Sequence, residues 1–180
     1  MSKATKSFIL EFLLLVIPLF LFFFIIFILV LTPFEITGNS MFETLKENEK
    51  IFAEKITYEA LSKPPKRGDI VVVKNPKKEG FLIKRVIGLP TENIEFSNGR
   101  VYINGIALNE DYLKENIKTK GSVFLKEDIV YEIPQNKYVL LGDNRMQSTD
   151  SRTLGFFDFA DFEGKVFIVY YPINSIRIIQ

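Results

Sequence analysis

Phe12 to Leu31 is a run of twenty apolar residues, Pro18 among them, with no polar side chain to interrupt it. About 20 such residues in a helix match the ~30 Å hydrocarbon layer of a bilayer, so the run predicts a spanning helix over 12–31. A cleaved secretory leader passes part of the same test, but its apolar stretch is shorter, about 7–15 residues, and ends in a small-residue site. Leu31-Thr32-Pro33-Phe34-Glu35 contains no Ala-x-Ala sequence, which favours a retained anchor. Lys3 and Lys6 precede the run, whereas Glu35, Glu43, Glu47 and Glu49 follow it, mixed with Lys46 and Lys50. The bias of basic residues toward the cytoplasmic side then puts the N-terminus in the cytoplasm and everything beyond the anchor outside. The expected organisation is residues 1–31 as cytoplasmic N-terminus and anchor, and 32–180 as an extracytoplasmic domain. No second run of this length occurs, so a single pass is expected.

Composition removes several classes of function. The 23 basic and 22 acidic residues nearly cancel, leaving no excess positive charge to neutralise a phosphate backbone, and nucleic-acid binding is not expected. The chain has no cysteine and no histidine. That excludes disulfides, thiolate metal sites and cysteine catalysis, and it takes away the commonest zinc and iron ligands. Neither a metal nor an organic cofactor is expected.

Beyond the anchor, hydrophobicity changes from continuous to alternating, in short runs bounded by Gly, Pro and Asn. Strands are predicted at Lys50 to Lys55, Asp69 to Lys74, Phe81 to Ile87, Asn93 to Ser97, Arg100 to Ile103, Tyr138 to Gly142 and Lys165 to Tyr171. Asn98-Gly99 between two such runs has the composition of a type I′ hairpin turn. The fold class is mainly β: an antiparallel sheet or barrel-like domain behind one N-terminal transmembrane helix.

Ser40 stands in Gly38-Asn39-Ser40-Met41, nine residues past the apolar run. A serine nucleophile needs a neighbouring base, and without histidine that base is a lysine or a carboxylate. In Phe81-Leu82-Ile83-Lys84-Arg85-Val86-Ile87, successive side chains face opposite ways, so either Lys84 or Arg85 lies among hydrocarbon. A buried lysine loses its proton more readily and becomes a usable base. The strand alone favours a solvent-facing Lys84 that guards a sheet edge. A third segment, Gly142 to Gly155, packs polar side chains between two apolar strands. Asp143 and Asn144 taken singly read as turn formers, Asp150 and Arg152 can form a bidentate pair, and hydroxyls at Ser148 and Ser151 could aim a lysine amine.

Taken in order behind the anchor, Ser40-Met41, Arg67-Gly68-Asp69-Ile70-Val71-Val72, Lys84-Arg85-Val86-Ile87-Gly88-Leu89-Pro90 and Gly142-Asp143-Asn144-Arg145 with Ser148, Asp150, Ser151, Arg152 and Gly155 resemble the bacterial type I signal peptidases. These are membrane-anchored serine-lysine endopeptidases that remove signal peptides from exported preproteins. The resemblance implies Ser40 as nucleophile and Lys84 as general base, with cleavage after small residues of the Ala-x-Ala type through an acyl-enzyme. It implies that Ser148 orients the lysine, that Asp150 and Arg152 form a supporting ion pair, and that the Ser40 backbone amide faces the oxyanion. It places the substrate pocket at Phe34, Ile36, Leu82 and Ile83. Gly38 stands where some members carry a second hydroxyl donor, Glu43 stands where proline is common, and Gln147 where asparagine is usual.

The expected partners are signal-peptide-bearing preproteins and membrane lipid, with a monomeric enzyme in the cytoplasmic membrane of a bacterial cell. Phe156, Phe157, Phe159 and Phe162 suit either an interfacial patch or core packing, which look alike in sequence. A conjugation-type processing peptidase would share the active-site logic, and a non-catalytic membrane-tethered binding module would lack the dyad. A self-cleaving repressor would need a DNA-binding helical domain in place of the anchor.

Overall fold

A computed structural model describes residues 3–55, 58, 63–114 and 116–179. The chain divides into two compact units, residues 1–32 and 33–180. In the first, α1 (Lys3–Val30) carries Pro18 in its interior. Its stretch Phe8–Ile25, with a mean hydropathy of 2.9, is long and apolar enough to cross a membrane. The helix stops one residue short of the expected end, and Leu31 opens a strand instead. Pro33 accounts for this, because the residue before a proline is driven out of the helical region.

The second unit is a mainly antiparallel β-domain, as the alternating pattern predicts. The strands are β1 (Leu31–Glu35), β2 (Lys50–Glu54), β3 (Ile70–Lys74), β4 (Phe81–Gly88), β5 (Asn93–Ser97), β6 (Arg100–Ile103), β7 (Ile106–Ala107), β8 (Tyr131–Glu132), β9 (Lys137–Leu141), β10 (Phe157–Asp158), β11 (Phe162–Tyr171) and β12 (Arg177–Ile178). The larger sheet runs β1-β2-β11-β3-β4-β9-β10, with β12 also on β11, and a smaller one runs β7-β6-β5-β8. All seven predicted strands form, whereas β1 and the two-residue strands β7, β8, β10 and β12 carry too little alternation to be read beforehand.

β3 sits in the middle of the larger sheet and is buried on both faces. Ile70 and Val72 face one apolar cluster with Ile36, Met41, Leu45 and Val166. Val71 and Val73 face another with Val86, Leu140, Phe157 and Phe162. Each such side chain removed from water contributes about 1.5–3 kcal/mol, so β3 is a rigid base for its neighbour β4. Asn98 and Gly99 both take positive φ, 52° and 76°, which is what a type I′ turn between β5 and β6 requires.

The phenylalanine segment resolves in favour of core packing. Phe157 and Phe162 are buried against Tyr58 and Tyr138 with Phe159 packed on them, and Phe156 meets Phe124 edge to face at 5.4 Å. None of the four is left as an exposed interfacial patch, because β10 and β11 turn these rings inward onto β9.

Candidate active site

Ser40 lies on the loop between β1 and β2. Paired backbone bonds close that loop, Ile36 N to Glu49 O and Asn48 N to Ile36 O, both 2.9 Å. Met41 and Leu45 then bury their side chains beneath it, and Leu45 N bonds Met41 O at 2.8 Å to make one tight turn. Gly38 has φ of 86°, a backbone shape that favours glycine two residues ahead of the serine.

Lys84 lies on β4 directly across from Val71 of β3. It is only 2 % exposed, and its Nζ is 2.8 Å from Ser40 Oγ and 2.9 Å from the carbonyl oxygen of Ile83. Burial pushes its pKa down to about 8, opposed by the more distant negative charges of Asp150 and Asp143. Desolvation outweighs the carboxylates because neither of them touches the amine, and both are already engaged by arginines.

The sequence argument that one of the two adjacent cations lies among hydrocarbon is too weak, since both are buried. Arg85, on the other face of β4, meets the carboxylate of Asp143 with two bonds, Nε to Oδ1 at 2.8 Å and Nη2 to Oδ2 at 2.6 Å. Its Nη1 donates to Gly68 O at 2.9 Å, and its plane lies over the Tyr112 ring at 4.0 Å. Asp143 also accepts from Thr44 Oγ1 at 2.6 Å. Asp143 is therefore a buried counter-ion and not a simple turn former. Asn144 donates from its backbone N to Ser40 O and from its side chain to Asn39 O, each 3.0 Å. The Gly-Asp-Asn run thus holds both the lysine strand and the serine loop.

Asp150 and Arg152 form the expected bidentate pair, at 2.8 and 2.7 Å. Asp150 also caps α2 (Ser151–Leu154) by accepting from Arg152 N, and receives Gly142 N at 3.1 Å. The two serines behave differently from the expectation. Ser151 Oγ accepts from Leu140 N at 2.8 Å, so it ties α2 to β9 and is not free to aim the lysine. Ser148 Oγ is buried against Gly142 but makes no hydrogen bond among the described residues, and the Lys84 amine turns instead to Ser40 and the Ile83 carbonyl. Arg145, named in the resemblance but given no role there, is buried with Glu110, Thr119 and Tyr112 around it. The density of polar residues in this segment was the available signal, but their partners come from distant positions.

Phe34, Ile36, Leu82 and Ile83 line one recess of about 230 Å³ together with Met41, Phe81, Ser40 and Lys84. A second recess of about 400 Å³ shares Thr37, Gly38, Ser40, Leu82 and Lys84 with the first. The serine and lysine lie where the two meet. Such an arrangement can place a peptide carbonyl beside a hydroxyl whose proton has an acceptor within reach.

The chain matches the signal peptidase family, peptidase S26, over residues 9–171, and it belongs to that family. It is an enzyme of the signal peptidase class. It is 39% identical over 149 residues to signal peptidase I P of Bacillus subtilis subsp. natto, covering 81% of this chain and 80% of that one. With signal peptidase IB of Staphylococcus aureus (strain COL) it shares 32% over 183 residues, covering 96% and 94%. A solved signal peptidase I from Enterococcus faecalis aligns with a TM-score of 0.49 at 34% identity, over 57% of this chain and 97% of that one.

Proposed function

We propose that this protein is a membrane-anchored serine endopeptidase that cuts signal peptides from exported preproteins, with Ser40 as nucleophile and Lys84 as general base. The 2.8 Å approach of a buried lysine to the serine hydroxyl, beside a recess lined by Phe34, Ile36, Met41 and Ile83, carries the reading. The apolar helix Lys3–Val30 supports anchoring, and the basic residues ahead of it support a cytoplasmic N-terminus with the β-domain on the far side.

In the proposed cycle the neutral Lys84 amine takes the proton of Ser40 Oγ as that oxygen attacks the scissile carbonyl carbon. The resulting oxyanion faces the backbone N–H of Ser40. Collapse breaks the C–N bond, and the Lys84 ammonium gives its proton to the departing amine, leaving an ester on Ser40. Water then enters, Lys84 takes its proton, and the hydroxide adds to the ester carbonyl. Breakdown returns the proton to Ser40 Oγ and releases the acid. Asp150 and Arg152 support the loop around the amine, and Ser148, whose buried hydroxyl has no partner among the described residues, takes the role of orienting the amine in this reading.

The first recess is small and offers Phe34, Ile36, Met41 and Ile83 to a side chain, which suits alanine-sized side chains at the first and third positions before the cut. All the proposed site residues come from one chain, so a monomer suffices. Ser40→Ala and Lys84→Ala, purified in detergent and mixed with a preprotein, should each give no mature product, while the parent protein cuts after a small residue as read by N-terminal sequencing. Cleavage by either variant would overturn the assignment.

A further inference from the structure

The two recesses that meet at Ser40 and Lys84 differ in chemistry. The first is lined by Phe34, Ile36, Met41 and Ile83 together with the acidic Glu35. The second is lined by Leu82 and Leu154 as well as Asn75, Lys77, Lys78, Gln147 and Thr149, and no carboxylate lines it among the described residues. Lys77 and Lys78 stand at the tip of the hairpin joining β3 to β4, whose last paired residues are Lys74 and Phe81. That tip is tied down by Asn75 N to Gly80 O and by Lys77 N to Asn75 Oδ1, both 3.0 Å. At the hairpin's base Lys74 is matched by Glu163 at 3.3 Å, whereas Lys77 and Lys78 enter no ion pair among the described residues. Two lysines without an ion-pair partner among the described residues therefore line a recess that also reaches the nucleophile.

We propose that this second recess is a subsite for an acidic side chain of the preprotein next to the scissile bond, received by Lys77 and Lys78. The proposal rests on the reading of Ser40 and Lys84 given above. An extended peptide that sends its first and third side chains into the first recess turns the intervening one the other way. That side chain and the first ones beyond the cut are the ones within reach of the lysines. Contact with anionic lipid headgroups is the competing use of such a pair. It is less favoured because the ammonium groups share walls with the serine and lysine and do not stand on an apolar face.

Lysine ammonium groups in an open recess are hydrated and screened, so the effect is one of preference and not an absolute requirement. The test uses the full chain in detergent micelles and a set of peptides with an Ala-x-Ala site. Asp or Asn is placed in turn at the second position before the cut and at the first and second positions after it. At one of these positions Asp should raise kcat/KM over Asn by about three- to tenfold at low salt, a size set by weak exposed charge pairs. That ratio should fall to near unity in Lys77→Gln/Lys78→Gln, return in Lys77→Arg/Lys78→Arg, and shrink on adding salt.

The absence of an Asp preference at every position, or a preference that survives the double glutamine change, overturns the subsite. In reconstituted vesicles, a defect of the double variant confined to phosphatidylglycerol bilayers and independent of substrate charge would assign the lysines to lipid and overturn it too. Failure of the parent protein to cut even the uncharged peptide would sink the Ser40 and Lys84 reading, and the subsite with it.

Discussion

The guanidinium of Arg85 and the carboxylate of Asp143 grip each other at 2.8 and 2.6 Å, one residue along the strand from Lys84 and one residue before Asn144, whose backbone N–H binds Ser40 O. Through Thr44 Oγ1 the same carboxylate reaches the turn that follows the serine. One buried ion pair thus joins the strand carrying the base to the loop carrying the nucleophile, without touching either reacting atom.

Breaking that pair leaves an uncompensated charge in the interior. Asp143→Ala should lower the unfolding free energy by about 3–5 kcal/mol, the usual penalty for removing one partner of a buried pair. Urea unfolding of the parent and the variant measures it, and a loss under about 1 kcal/mol would mean that the pair carries little of the structure.

Lys84 gives a pH signature whose sign follows from burial. Its folded pKa is about 8 against the usual 10.5, so above the unfolded value the amine is neutral in both states and no penalty applies. As pH falls from about 10.5 to about 8 the unfolded chain takes up the proton first, stability declines, and below about 8 the penalty is complete. Lys84→Met should remove this slope and raise stability at neutral pH while abolishing cleavage. In the parent enzyme kcat/KM should climb with pH and level off above about 8, as the neutral amine becomes the major form. A profile that is flat across this range would disconnect the amine from the chemistry.

Gly142 is held to glycine by space. A methyl group at that position would overlap both Ser148 Oγ and the backbone oxygen of Ser40, well inside contact distance. Gly142→Ala should push the serine loop away from Lys84 and reduce kcat/KM by about 100-fold, as expected for a displacement on the order of 1 Å. Comparing kcat/KM with the unfolding midpoint separates misplacement from collapse, since a variant that stays folded but slow is the expected result.

Glu43 stands where the family resemblance leads to an expectation of proline. Its φ is 88°, and its carboxylate reaches the exposed Lys114 at 2.7 Å. Proline holds φ near −65°, so Glu43→Pro should destabilise the turn after Ser40 by about 2–3 kcal/mol. Glu43→Gly fits the same backbone without strain and should change stability by less than about 1 kcal/mol, because the surface ion pair is worth little. Thermal melts of the two variants give the contrast, and equal melting temperatures would refute it.

Much of this was legible in the chain because the signals are local. The apolar run from Phe12, the period-two pattern of β2, β5 and β6 and the Asn98-Gly99 turn each report a conformation within a few residues. The misreadings have one cause. Alternation separates the two faces of a strand but does not say that both are covered, so the burial of Arg85 beside Lys84 was missed. The phenylalanines of 156–162 likewise give no sign, taken alone, of which surface meets them.

The sequence by itself determined one membrane-length helix, a β-rich domain after it, and a serine, a lysine and a polar segment as the places where chemistry could occur. Tertiary structure decided that Ser40 and Lys84, 44 positions apart, come within 2.8 Å, that Asp143 serves Arg85, and that Ser151 is spent on a backbone bond while Ser148 is left without one. The physical reason is the sheet order, in which β11 separates β2 from β3 and β9 joins β4, so the contacts that assemble the site depend on long-range strand pairing and not on neighbouring residues.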